Sequence, residues 1–122
     1  IAFPTCRGGW PLAVDMEPEI ALDQAFDYVE SVEKRDIQKV DGVERDSVRV
    51  HRLLRSLARN QGSQASIGTI RADLIANESD SLSEDTISSY MKALNKIFVI
   101  EDSEAWNPNL RSKTAIRTSD TR

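Results

Sequence analysis

A chain of 122 residues with 30% charged and 39% hydrophobic side chains suits one helix-rich domain around one modest core, and is too short for several. Its formal net charge of -4 argues against a protein that coats nucleic acid wholesale, while leaving room for a local basic face. A single cysteine and a single histidine exclude an internal disulfide and give no basis for a cysteine- or histidine-built metal site; with no apolar run near the ~18 residues of a membrane span and no signal-peptide pattern, a cytoplasmic setting without membrane contact is expected.

Residues 1–18 show no periodicity. Gly8-Gly9-Trp10-Pro11 and Glu17-Pro18 mark turns, and Pro4 adds another interruption. Phe3 and Trp10 are large apolar groups that need a surface to cover them. An extended arm is expected here, packed on the body or on a neighbouring domain. A connecting unit follows over 19–43, with a helix from about Glu19 to Gln38 on which Leu22, Ala25, Phe26, Val29 and Val32 keep helical spacing. Glu17, Glu19 and Asp23 lie near its positive end, Lys34 and Arg35 towards its negative end. Asp41-Gly42 breaks the chain.

The remaining residues, 44–122, read as one domain. A helix is expected from about Arg45 to Asn60, closed by Gln61-Gly62. Val50, Leu53, Leu54 and Leu57 cluster on one side of it, and Arg49, Arg52, Arg55 and Arg59 fall roughly opposite. That arginine stripe is either a solvated face or a contact for a partner or a phosphate, since guanidinium forks match anionic oxygens. Ser66 is a good N-cap for a helix running to about Asn77. A polar turn leads to a further helix that begins at Ser81 or Ser83, with Ile87, Tyr90, Met91, Leu94 and Ile97 as its core stripe. Its exposed side carries Asp85, Ser88, Ser89, Lys92, Asn95 and Lys96.

Ile97-Phe98-Val99-Ile100 is β-branched and aromatic and reads as a strand. After a turn at Trp106-Asn107-Pro108-Asn109, Leu110 to Arg117 reads as its return, with Arg111, Lys113 and Arg117 along it. The expected fold is therefore mainly α: a helical N-terminal part, then a winged helix-turn-helix with a small two-stranded β wing. Such a domain sets its second motif helix in the major groove and its wing near the backbone. Ser88, Ser89, Lys92, Asn95, Lys96, Arg111, Lys113 and Arg117 are accordingly the candidate nucleic-acid contacts. Glu84 and Asp85 at the start of the reading helix work against phosphate there.

No catalytic or cofactor pattern is present. Cys6 and His51 have no spacing that suggests a nucleophile and its base; Cys6 reads as a minor packing residue and His51 as an exposed one. Gly8-Gly9 lacks the rest of a phosphate-binding loop, and the acids form no metal-ligand motif. No catalytic residue, cofactor or metal ligand is therefore assigned.

The short motifs, taken in order, resemble the middle of a prokaryotic family of AAA-type ATP-binding proteins with an uncharacterised conserved segment after the ATPase core. They are Arg7-Gly8-Gly9-Trp10-Pro11; Tyr28 with Asp36-Ile37; Leu53-Leu54-Arg55-Ser56-Leu57-Ala58; Ser83 with Thr86-Ile87-Ser88-Ser89-Tyr90; Phe98-Val99-Ile100; Trp106-Asn107-Pro108; and Leu110-Arg111-Ser112-Lys113. The resemblance implies an upstream ATPase domain that holds ATP and magnesium, and a downstream domain resembling restriction-type nucleases. No ATP-site or nuclease residue falls in this chain. A first residue other than Met and an end without a helix stop fit a piece of a longer polypeptide. The expected role is a non-catalytic accessory module of such an ATPase, contacting that upstream domain, another protein, a second copy or DNA. The alternative is the DNA-binding domain of a transcriptional regulator.

Overall fold

The computed structural model describes residues 1–103. Along them run α1 (Ala2–Arg7), α2 (Pro18–Ser31), α3 (Ser47–Arg59), α4 (Ile67–Glu78) and α5 (Glu84–Lys96). The last three start at short polar residues. Asp46 accepts from the Val48 N–H at 2.8 Å, Ser66 from the Thr69 N–H at 3.1 Å, and Ser83 from the Thr86 N–H at 3.2 Å. Each bond satisfies a first-turn donor that has no partner within its helix. Of the two candidate caps before α5, Ser83 takes the role and Ser81 stays in the preceding turn.

The main core lies between α3, α4 and α5. Val50, Leu53 and Leu57 meet Ile70 and Leu74 and a long stripe on α5, Ile87, Tyr90, Met91, Ala93 and Leu94. Leu82 closes the α4–α5 turn side, and Val32 and Ile37 enter from the segment after α2. These positions follow the 3.6-residue repeat because burying one stripe per helix is the main favourable term in folding. No helix of the described residues is long and apolar enough to cross a membrane.

Residues 1–31 contribute nothing to that core. Rather than running extended, residues 2–7 form α1, which with a 3-10 turn at Pro11–Ala13 folds back against α2. Pro4 is tolerated because it stands in the first helical turn, where its missing N–H leaves no bond unmade. Gly8, at φ 79°, stops the helix. The interior of this hairpin is small: Ala13 and Ala21 are buried, and the rings of Trp10 and Tyr28 lie 4.8 Å apart. After α2 the chain stays helical but changes pitch, through a π-helical turn at Val32–Asp36 and a 3-10 turn at Ile37–Lys39. Gly42, at φ 70°, then turns it towards α3.

The winged helix-turn-helix with a two-stranded β wing is not the fold. The described residues are helical and contain no strand, only an isolated bridge at Ser103. Ile97–Ile100, expected as the first wing strand, closes α5 instead. Phe98 takes the left-handed conformation at φ 59°, its N–H donates to the Asn95 carbonyl, and the Val99 N–H donates to the Leu94 carbonyl, both at 3.0 Å. This is the bonding of a Schellman cap. Ile97, Val99 and Ile100 then pack against the core; their β-branched character reflects burial, not a pleated ladder. The expected second strand, residues 110–117 with Arg111, Lys113 and Arg117, lies outside the described residues.

Candidate functional site

The arginine stripe of α3 faces neighbouring parts of its own chain. Arg52 Nη1 is 3.1 Å from Asp80 Oδ2, and Arg55 Nε is 3.5 Å from Glu78 Oε1. Arg59 reaches two acids, donating from Nη2 to Asp73 Oδ2 at 2.6 Å and from Nη1 to Glu78 Oε1 at 2.8 Å. The Arg59 hydrogen bonds hold the Asp73 carboxyl below the usual carboxylate range, and the two acids raise Arg59 in turn. These pairs tie α3 to α4 and to the turn after it. Arg49 is the exception: it is exposed and makes no ion pair among the described residues.

The outer face of α5 carries the other candidates. Ser89, Lys92, Asn95 and Lys96 are exposed and Ser88 is half-buried. All five border an open groove of about 740 Å³. Asp41, Asp85 and Asp102 border the same groove, so its lining mixes two lysines with three carboxylates. Asp41 stays ionised: hydrogen bonding from the Arg45 guanidinium holds its carboxyl down to about 2. Glu84 and Asp85 stand in the first turn of α5, where the helix dipole would otherwise welcome an anion.

Two further pairs organise the joint between the hairpin and the core, and neither was among the expected contacts. Arg45, only 3% exposed, gives two 2.8 Å hydrogen bonds to the Asp41 carboxylate and one of 3.3 Å to the Ile37 carbonyl. Its guanidinium lies 5.8 Å from the centre of the Tyr90 ring, and its backbone N–H donates to Gln38 Oε1 at 2.6 Å. Both terminal guanidinium nitrogens of this buried cation are hydrogen-bonded while Nε has no partner among the described residues, and the ion pair acts as a structural clamp. His51, expected to be merely exposed, has Nδ1 2.7 Å from Oε1 of the largely buried Glu33. The only sequence hint of the clamp was the four-residue spacing of Asp41 and Arg45 across the Gly42 turn.

The hairpin presents a different surface. At about 100° per residue, Leu22, Ala25, Phe26 and Val29 share one side of α2. Leu22 and Ala25 are half-buried, whereas Phe26 is 74% exposed and Val29 37%. Leu12, Val14 and Met16, in the preceding turn, are exposed as well. Glu19, Asp23 and Asp27 recur every four residues and make an acidic ridge beside Leu22 and Phe26. All three acids are exposed and unpaired among the described residues. No group of three or more His, Cys, Asp or Glu side chains is placed to hold a metal ion among the described residues. Cys6 is exposed and free.

Residues 3–121 match the family model described as Domain of unknown function (DUF8612), and the chain belongs to that family. No curated protein and no solved structure matches it.

Proposed function

We propose that this family member is a non-catalytic accessory module that joins protein surfaces, serving a AAA-type ATP-binding protein of the kind its short motifs resemble. The observation that carries the reading is the uncovered apolar side of the hairpin. Phe26, Leu12 and Val14 are each more than half exposed, together with Val29 and Met16. Apolar area left in water forfeits roughly 25 cal/mol per Å², and large apolar side chains left exposed on neighbouring segments are candidates for covering by a partner. ATP and magnesium, on this reading, belong to the ATPase domain and not to these helices.

Direct DNA contact is the weaker reading. The three arginines Arg52, Arg55 and Arg59 already pair with acids of the same chain, and the α5 groove sets Asp41, Asp85 and Asp102 beside Lys92 and Lys96. A phosphate backbone entering that groove meets carboxylates as well as lysines, with Asp85 in the first turn of α5.

The test places a photo-crosslinking amino acid at position 26, and at position 49 as control, in the gene expressed in its own host, and adds a labelled DNA duplex to the purified chain at low salt. Protein adducts several-fold more abundant from position 26, with no change in duplex anisotropy, are expected. Duplex binding at low salt without adducts from position 26 would overturn the reading.

A further inference from the structure

The chemistry of the α2 surface narrows the class of partner. Charge along this chain is uneven. Residues 1–31 hold six acidic residues and one arginine, whereas the remainder holds fifteen basic and fourteen acidic residues. The negative charge therefore gathers on the hairpin that carries the uncovered apolar side.

The arrangement on α2 is ordered. Leu22 and Phe26 occupy one ridge; Glu19, Asp23 and Asp27 occupy the next, one turn apart from each other. Glu30, at the end of the helix, is paired with Lys34 and kept below the usual carboxylate range by that contact. Glu19, Asp23 and Asp27 have no such partner among the described residues. A helix that docks an apolar stripe on Leu22, Phe26 and Val29 brings its flank over this acidic ridge. Lysines or arginines on that flank complete ion pairs; acids on it meet like charge.

We infer that α2 and the preceding turn form the docking face for a basic amphipathic helix of a partner protein. The inference rests on the protein-joining role proposed above and adds the partner's chemistry. A second copy of this chain is disfavoured, because a two-fold contact would set each acidic ridge in the same electrostatic field as its image. An anionic lipid surface or a nucleic acid is repelled for the same reason.

The experiment titrates the isotope-labelled 122-residue chain with two designed helical peptides and follows backbone amide shifts. Both peptides carry one leucine stripe; one has lysines along its flank and the other glutamates. The lysine peptide is expected to shift amides 19–30, and to bind at least ~10-fold more tightly than the glutamate peptide, a difference of about 1.4 kcal/mol. Phe26→Ala, and separately Asp23→Lys with Asp27→Lys, should each weaken it by a similar factor. Because Phe26, Asp23 and Asp27 are exposed, these variants keep the fold, which unchanged amide shifts in α3–α5 verify. Added salt should weaken the lysine peptide most.

Equal binding of both peptides to α2 would overturn the basic partner while leaving a protein-joining face in place. Shifts confined to the α5 groove, shifts of α2 amides on concentrating the chain alone, or no shift of α2 with either peptide would each overturn the inference. The protein-joining role fails separately, by the absence of adducts from position 26.

Discussion

The Val99 N–H donates to the Leu94 carbonyl at 3.0 Å across a left-handed Phe98. A bulky residue at φ 59° carries a steric cost that glycine does not, of order 1–2 kcal/mol. The Phe98 side chain is 93% exposed and repays little of it. Phe98→Gly is therefore expected to stabilise the chain by about 1 kcal/mol after the extra freedom of the unfolded glycine is subtracted. Phe98→Ala retains the β-carbon and should change little. Urea midpoints of the three proteins check this; a destabilised glycine variant would mean that the phenyl ring is packed.

The Asp41–Arg45 clamp gives a pH dependence of known sign. Arg45 holds the folded Asp41 carboxyl at about 2, while an unfolded aspartate titrates near ~3.9. A folded value below the unfolded one adds stability that is complete above about pH 4 and fades as pH falls through about 2. Asp73, held down by Arg59, and Glu30, held down by Lys34, act in the same direction. Comparison with Asp41→Asn isolates the clamp. At neutral pH the variant is expected to be less stable, since it leaves the buried Arg45 cation without its counter-charge. The gap between the two proteins, followed by urea melts, should narrow from about pH 4 to pH 2.

The Arg59 cluster should behave otherwise. The Arg59 partners Asp73 and Glu78 are largely covered, but its own side chain is a third exposed, so water screens the charge and a contribution of about 1 kcal/mol is expected. Arg59→Ala is expected to cost about that much at low salt and clearly less at high salt, where screening has already weakened the pair. Melting curves at two salt concentrations suffice. A loss well above this range, unaffected by salt, would indicate that the arginine stem packs against α4 more than its charge matters.

These outcomes separate what was legible in the sequence from what was not. Ser66, Ser83 and the apolar repeats on α3 and α5 were readable because capping and amphipathic spacing are local properties. The wing was misread because Ile97–Ile100 carries β-prone residues for another reason, closing α5 and covering the core. The α3 arginines could be placed on one face but not assigned partners. Asp73, Glu78 and Asp80 arrive from 14 to 28 residues further on, by the packing of α4 on α3, which no local pattern encodes. The buried Arg45 was hidden in the same way: its environment is made by Ile37, Asp41 and Tyr90 together.

The hairpin should also open more readily than the rest of the chain. Its own interior holds only Ala13 and Ala21 as buried apolar residues, and none of residues 1–31 enters the α3–α5 core. Few buried contacts mean a low free energy of local opening, and the only continuous link to the core runs through the π-helical turn at Val32–Asp36. Native-state hydrogen exchange should therefore show α2 amides exchanging at least ~10-fold faster than those of α3 and α5, a gap of about 1.4 kcal/mol in opening free energy. Leu53→Ala, at a fully buried site, removes about 2–5 kcal/mol and should speed exchange in α3, α4 and α5 together. Phe26→Ala should leave those helices unchanged. Binding of a basic amphipathic helix to α2 should slow the α2 amides alone, because a partner that binds only the closed hairpin stabilises that unit by mass action.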